Sequence, residues 1–159
     1  MGAPGSVVST RAFYEVTLVA FTTDDTTQFG WANAEFEHSV RLTIGDHGDH
    51  EGVGDDDRSW AADGARQLKW FAGEETFGEL WVKGDVLGFA ADCESGRILF
   101  ARNGEWSTLF EGIDPARMRG LYPALSGASH EQPLEIAVNF GDRPFAHGPP
   151  DDRQWTLGV

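Results

Sequence analysis

Glycine and proline interrupt this chain so often that little room is left for helix. Twenty glycines and seven prolines are spread over 159 residues. Few windows of a dozen residues both lack a breaker and carry apolar residues at helical spacing. What survives between the breakers is strand-like. In "FYEVTLVAF", residues 13–21, Tyr14, Val16, Leu18 and Ala20 share one face. "VRLTI", residues 40–44, alternates Val40, Leu42 and Ile44 with Arg41 and Thr43. "VLGFAAD", residues 86–92, is apolar on both faces, as a central strand of a sandwich should be. "ESG" then turns the chain into "RILFARN", and Asn103-Gly104 is the strongest short hairpin signal present. "LEIAVNF", residues 134–140, alternates again. The clearest helix start is Asp114-Pro115, a cap followed by a proline suited to the first helical position, with Gly120 leaving space for one or two short turns at most. Short strands with turn signals about every ten residues predict an all-β fold, a sandwich of two antiparallel sheets. No internal repeat or linker is visible, so one domain is expected.

The length suits one domain with a real core, and 40% hydrophobic residues with six tryptophans make the composition globular. A single cysteine, Cys93, excludes an internal disulfide and fits a reducing compartment. No apolar run approaches the roughly 18 residues of a membrane span, and no secretory leader opens the chain. A cytoplasmic monomer is expected. The opening "MGAPGS" fits the loose myristoylation pattern at Gly2 and Ser6, and equally a flexible leader over residues 1–10. The net charge is −14, from 26 acidic and 12 basic side chains. No basic surface is on offer to phosphate, which excludes a nucleic-acid binder. Acidity permits a basic protein partner, and it also arises in cells whose proteomes are acidic throughout.

The densest cluster of charge is "GVGDDDRSWAADG", residues 52–64. A helix-flanked calcium loop needs oxygen ligands at positions 1, 3 and 5, glycine at 6 and glutamate at 12. Counting from Asp55, position 6 is Trp60 and position 12 is Arg66, so the pattern fails. The residues read instead as punctuation of a fold: Asp55 and Asp56 as acceptors within a loop, Trp60 as an anchor, Asp63-Gly64 as a turn. His47 and His50 lie beside Asp46, Asp49 and Glu51, all legitimate ligand types, but their spacing follows no closed four-ligand signature. No metal and no cofactor are expected.

Catalytic patterns are also missing. Lectin-like glycosidases place paired carboxylates at alternate positions of one strand, and no strand-like run here carries such a pair. "ALSGA" lacks the first glycine of a G-x-S-x-G elbow. Cys93 sits between Asp92 and Glu94, whose charges raise a thiol pKa rather than activate it. A zinc-bound ligase domain of the RING type needs about eight Cys and His ligands, and this chain has one Cys and five His. No enzyme is expected in this chain.

Seven segments in order, "FYEVTL", "QFGWA", "GVGDDDRSWAADG", "WVKGDVLGFAAD", "ILFARNGEW", "LYPALS" and "NFGDRPF", resemble successive motifs of the SPRY domain. Lys69-Trp70, "GDVLG" and "NFGDRPF" are most similar to the SPRY domains of the RING-type subunit of the Kip1 ubiquitination-promoting complex and of ryanodine receptors. The resemblance covers residues 11–150 and leaves 151–159 as an extension packing on or trailing from the domain. It implies a bent sandwich of two antiparallel sheets used as a protein-interaction module. Substrate recognition for a ubiquitin ligase or a regulatory scaffold is the implied setting. A lectin-like carbohydrate-binding domain is the alternative, since exposed tryptophan also suits sugars, although the ordered His, Asn, Arg and Trp of a galectin-like groove is lacking.

The resemblance also implies a site. SPRY domains that grip peptides use the loop after the D-x-x-S-W motif, here Asp56 to Trp60, and the loop before the last long strand. Carried onto this chain, these are Lys69, Trp70 and Phe71, with Ser129, His130 and Glu131, beside the acidic loop of Asp55 and Asp56. Peptide-gripping members place a tyrosine and a tryptophan where Lys69 and His130 stand here, so an asparagine-rich ligand does not carry over. Trp70 beside Lys69 would form an aromatic platform with an adjacent charge, a usual hot-spot chemistry. Trp70 packing beneath the Asp55–Asp57 loop is the competing reading.

Overall fold

The structure, a computed structural model, describes residues 10–37, 52–129 and 133–157. The strands are β1 (Arg11–Ala20), β2 (Thr26–Ala32), β3 (Ser59–Asp63), β4 (Leu68–Trp70), β5 (Glu74–Thr76), β6 (Val86–Asp92), β7 (Arg97–Arg102), β8 (Glu105–Phe110), β9 (Tyr122–Ala128), β10 (Glu135–Asn139) and β11 (Thr156–Leu157). One antiparallel sheet runs β10-β1-β6-β7-β8, and β11 adds two residues in parallel beside the start of β1. The second sheet runs β5-β4-β3-β2-β9, antiparallel throughout. The fold is an all-β sandwich. Residues 40–44, expected as a strand, lie outside the described residues.

The core lies where the facing sides of the two sheets meet. Tyr14, Val16 and Leu18 of β1 alternate toward it and are fully buried, with Phe89 from β6, Phe29 and Trp31 from β2, and Trp60 from β3. The Tyr14 ring stacks near Phe89 at 5.2 Å and meets Trp31 edge-on at 5.2 Å. Its hydroxyl donates to the Gly30 carbonyl at 2.6 Å, so the one polar atom of a buried ring is satisfied. Burial raises the Tyr14 pKa well above its ordinary value.

The other face of β1 is covered as well. Phe13 meets Phe145 at 4.3 Å and clusters with Ala90, Leu99 and Trp155. Buried Glu15 accepts the N–H groups of Ala146, His147 and Gly148 at 2.7 to 3.1 Å. The segment after β10 is thereby strapped across the sheet by a carboxylate in a nest of amides. Arg153 continues the strap with a 2.9 Å bond to Asp92. Here burial alone would raise the Asp92 pKa, but hydrogen bonds from Ser95 and the Arg11 charge outweigh it and hold the carboxyl below its ordinary value.

Trp81, Phe89 and Phe100 are buried, as expected from the strand pattern, whereas Phe140 is only half-buried. Phe140 follows the edge strand β10, so its ring packs on Tyr14 at 5.7 Å from one side only. Phe100 and Trp106, which the hairpin sequence suggests as facing core partners, point to opposite faces. The two-residue turn sets Arg102 opposite Glu105, hence Ala101 opposite Trp106 and Phe100 opposite Ser107. Trp106 joins the Phe13 cluster on the outer face, and its ring explains Gly88: a Cβ there would stand 2.8 Å from the indole. Among the described residues the helical content is one 3-10 turn, Pro115–Met118, capped by the Asp114 carboxylate on the Ala116 N–H at 2.9 Å. Among the described residues no helix is long and apolar enough to cross a membrane.

Candidate functional site

Strand alternation divides the sequence-predicted site. Lys69, Trp70 and Phe71 are consecutive, so the ring of Trp70 leaves the sheet on the side opposite its two neighbours. Trp70 packs on the outer face of the second sheet with Val53, Ala61, Ala32 and Ala124. Gly54 crosses directly over it, with φ at +95° and room for no side chain, since a Cβ would lie 2.4 Å from the Trp70 Cβ. The Ala72 N–H bonds the Gly54 and Asp56 carbonyls at 2.9 and 2.8 Å, sealing loop and strand together. The Trp70 indole N–H is buried without a partner among the described residues, and the Arg66 guanidinium lies 4.6 Å over the ring.

Asp55 and Asp56 hold this loop in shape. Asp55 accepts the Gly52 N–H and the Gln28 amide, both at 2.6 Å, while Asp56 accepts the Arg58 N–H at 3.0 Å and the Ser59 hydroxyl at 2.6 Å. Both Asp55 oxygens and Oδ1 of Asp56 are thus taken up, whereas the exposed Asp57 pairs with Arg117 at 2.7 Å. Tyr122 lies beside the loop, and burial, then the Asp56 charge, raises its pKa. Asp63 turns the chain after β3 by accepting the Ala65 and Arg66 N–H groups.

Lys69 and Phe71 form a separate surface with Phe110, the end of β8. The Lys69 ammonium stands 5.3 Å over the Phe110 ring, 3.4 Å from the Leu109 carbonyl and 3.2 Å from Glu75. Phe71 stacks on buried Trp60 at 5.4 Å, meets Phe110 at 6.2 Å and carries the Arg117 guanidinium 5.5 Å above it. An open cleft of about 380 Å³ follows, lined by Lys69, Phe71, Phe110 and the β4–β5 turn. Phe110 and Arg117 are absent from the sequence-predicted set. A register shift between Ile98 and Leu99 swings Phe110 toward this surface, and nothing in the strand pattern announces it.

Ser129 is exposed just past β9. It lies four register rows beyond the Lys69–Ala62–Phe29–Leu125 row. With three strand spacings between β4 and β9, that puts Ser129 about 20 Å from Lys69. His130 and Glu131 lie outside the described residues, as do His47, His50, Asp46, Asp49 and Glu51. Among the described residues no group of three His, Cys, Asp or Glu side chains could hold a metal ion. Cys93 is half-buried, and burial first, then the Asp92 charge, pushes its thiol up to about 11.

The SPRY domain family model matches residues 11–143. The chain is 37% identical over 131 residues to the E3 ubiquitin-protein ligase RKP of Arabidopsis thaliana, in an alignment spanning 81% of this chain and 9% of that protein. The chain belongs to the SPRY domain family, a family of protein-interaction modules.

Proposed function

We propose that this chain holds a peptide segment or partner surface through loops at one end of the sandwich, without catalysing a reaction. The contact set is Lys69, Phe71 and the β4–β5 turn, extended by Ser129, by His130 and Glu131 next to it in sequence, and by Asp55 and Asp56 in the loop over the opposite face of β4. Trp70 packs on the opposite face of β4, beneath the Asp55–Asp56 loop, and fixes that loop to the strand. The observation that carries the reading is the open cleft with Phe71 and Phe110 as walls and a cation and two glutamates, Lys69, Glu74 and Glu75, at its edge. Half-exposed aromatic rings on a rigid strand give apolar contact area at little entropic cost, and the charges around them give orientation. The span of about 20 Å to Ser129 suits an extended segment of some six residues.

The relative named above is a ubiquitin ligase, so recognition of a ligase substrate is the setting we infer, with a cytoplasmic location and catalysis supplied elsewhere in a larger protein or by a partner. The excess of acidic side chains favours a basic partner. The test is retention of a partner captured on the wild-type chain and then challenged with Glu74→Lys/Glu75→Lys and with His130→Ala. Glu74 and Glu75 are exposed, so these changes spare the fold. Retention should fall at least tenfold while the melting temperature stays within about 2 °C. Undiminished retention by both variants overturns the reading.

A further inference from the structure

A second cleft, of about 490 Å³, opens between residues 77–81 and the β7–β8 hairpin. Its walls include Phe77, Trp81 and Phe100, a run of rings in which Phe100 meets Phe77 edge-on and stacks with Trp81, each at 5.8 Å. The cleft exists because β8 carries polar residues on its core-facing side. Ser107 stands opposite Phe100 and Glu105 opposite Arg102, so no apolar side chain closes the sandwich there.

The strand beside this cleft is an edge: among the described residues β8 pairs with β7 alone. Asn103 and Gly104 have φ of +51° and +85°, as a tight two-residue turn requires, which makes Arg102–Glu105 and Phe100–Ser107 the hydrogen-bonded pairs. The backbone groups of Trp106 and Thr108 therefore point away from β7, and none of them has a partner among the described residues. Unpaired edge groups beside an aromatic cleft are what strand addition uses.

Charge selects the occupant. Glu79 and Glu105 are exposed at the mouth. The one cation of the lining, Arg102, is held by buried Asp85 at 2.7 Å and by Glu79 at 3.1 Å, so the two carboxylates of the lining face a cation already neutralised from behind. A second copy of this chain would bring its own Glu105 and a net charge of −14 to the same edge, which disfavours self-pairing.

We propose that the cleft between residues 77–81 and β8 takes an extended basic segment of a partner protein. The segment adds to β8 as a strand and lays one Lys or Arg side chain across the half-exposed ring of Phe77 toward Glu79 and Glu105. The long methylene stem covers the ring while the charged head reaches the carboxylates. This surface is separate from Lys69 and Phe71 and does not rest on their reading.

The probe is an acetylated, amidated heptapeptide, Thr-Val-Lys-Val-Lys-Val-Thr, titrated into the 15N-labelled full chain. Expected are shifts of the Trp106 and Thr108 amides and of Phe77, and an affinity at least tenfold weaker in Glu79→Gln/Glu105→Gln. Asp24→Asn/Asp152→Asn removes the same charge elsewhere on the surface and should leave the affinity within twofold. N-methylation of alternate peptide amides, in the two possible registers, should abolish binding in one of them, with the protein untouched. No shifts up to 1 mM peptide, equal losses in the two double variants, or binding that survives N-methylation in both registers would each overturn the proposal. So would equal binding of the peptide with Glu in place of Lys.

Discussion

The ring of Phe71 lies flat on that of Trp60, with centroids 5.4 Å apart and planes inclined by 4°. Trp60 is buried in the core and Phe71 lines the open cleft, so one ring pair joins the stability of the sandwich to its candidate binding surface. Phe71→Ala should cost about 2 kcal/mol, less than for a fully buried ring. The loss, read by urea unfolding, should be restored in large part by Phe71→Leu. A variant as stable as the parent would place Phe71 outside the packing described.

Trp70 is expected to behave as a packed residue. It supports Val53 and the backbone of Gly54, so Trp70→Ala should lower stability by about 3 kcal/mol and loosen the 52–58 loop. Chemical denaturation with hydrogen exchange of that loop checks both effects. A normal midpoint with impaired partner binding would make Trp70 an exposed contact instead.

Phe100 is 6% exposed and touches Phe77, Trp81 and Phe89. Truncation to alanine should cost roughly 3–5 kcal/mol, a large fraction of the stability of a domain this size. An unchanged melting temperature would contradict the facing assigned to β7.

Much of the sandwich is legible in the sequence because its signals are local. Asn103-Gly104 sets a two-residue turn, Asp114-Pro115 sets a capped turn, and Tyr14, Val16 and Leu18 alternate toward one core. Phe100 and Trp106 mislead because the turn residues state that a hairpin exists but not which pairs share a face. Phe13 and Glu15 are buried by residues 144–155, a contact more than a hundred positions away that no local window records. The site is less legible for the same reason. β4 has three residues, too few for alternation to declare which side Trp70 takes, and Phe110 arrives by a register shift.

Acid should unfold this protein through buried carboxylates. At Asp85, burial would raise the pKa, but the Val82 N–H, Arg102 and Asn103 outweigh it and hold it below the ordinary value. Asp92 is held down in the same sense. Each binds its proton less readily folded than unfolded, so the stabilisation is full above the unfolded value near ~4 and is lost as pH falls through the folded one. Melting temperature should drop steeply below about pH 4. Asp85→Asn/Asp92→Asn should melt lower at neutral pH and show a shallower acid profile, and an equally steep profile would contradict this assignment.

Calcium and chelator should both leave the melting temperature unchanged. Both Asp55 oxygens and Oδ1 of Asp56 are already engaged by amides and a hydroxyl. A rise of several degrees with stoichiometric calcium would mean a native-state site after all.

The central claim, that a partner is held at one end of the sandwich, is tested most directly by hydrogen-exchange mass spectrometry of this chain with and without a captured partner. Protection should appear in peptides covering residues 69–76 and 127–131, with little change across residues 141–157. Protection confined to 141–157 or to the β8 edge, with none in 69–76 or 127–131, would contradict it.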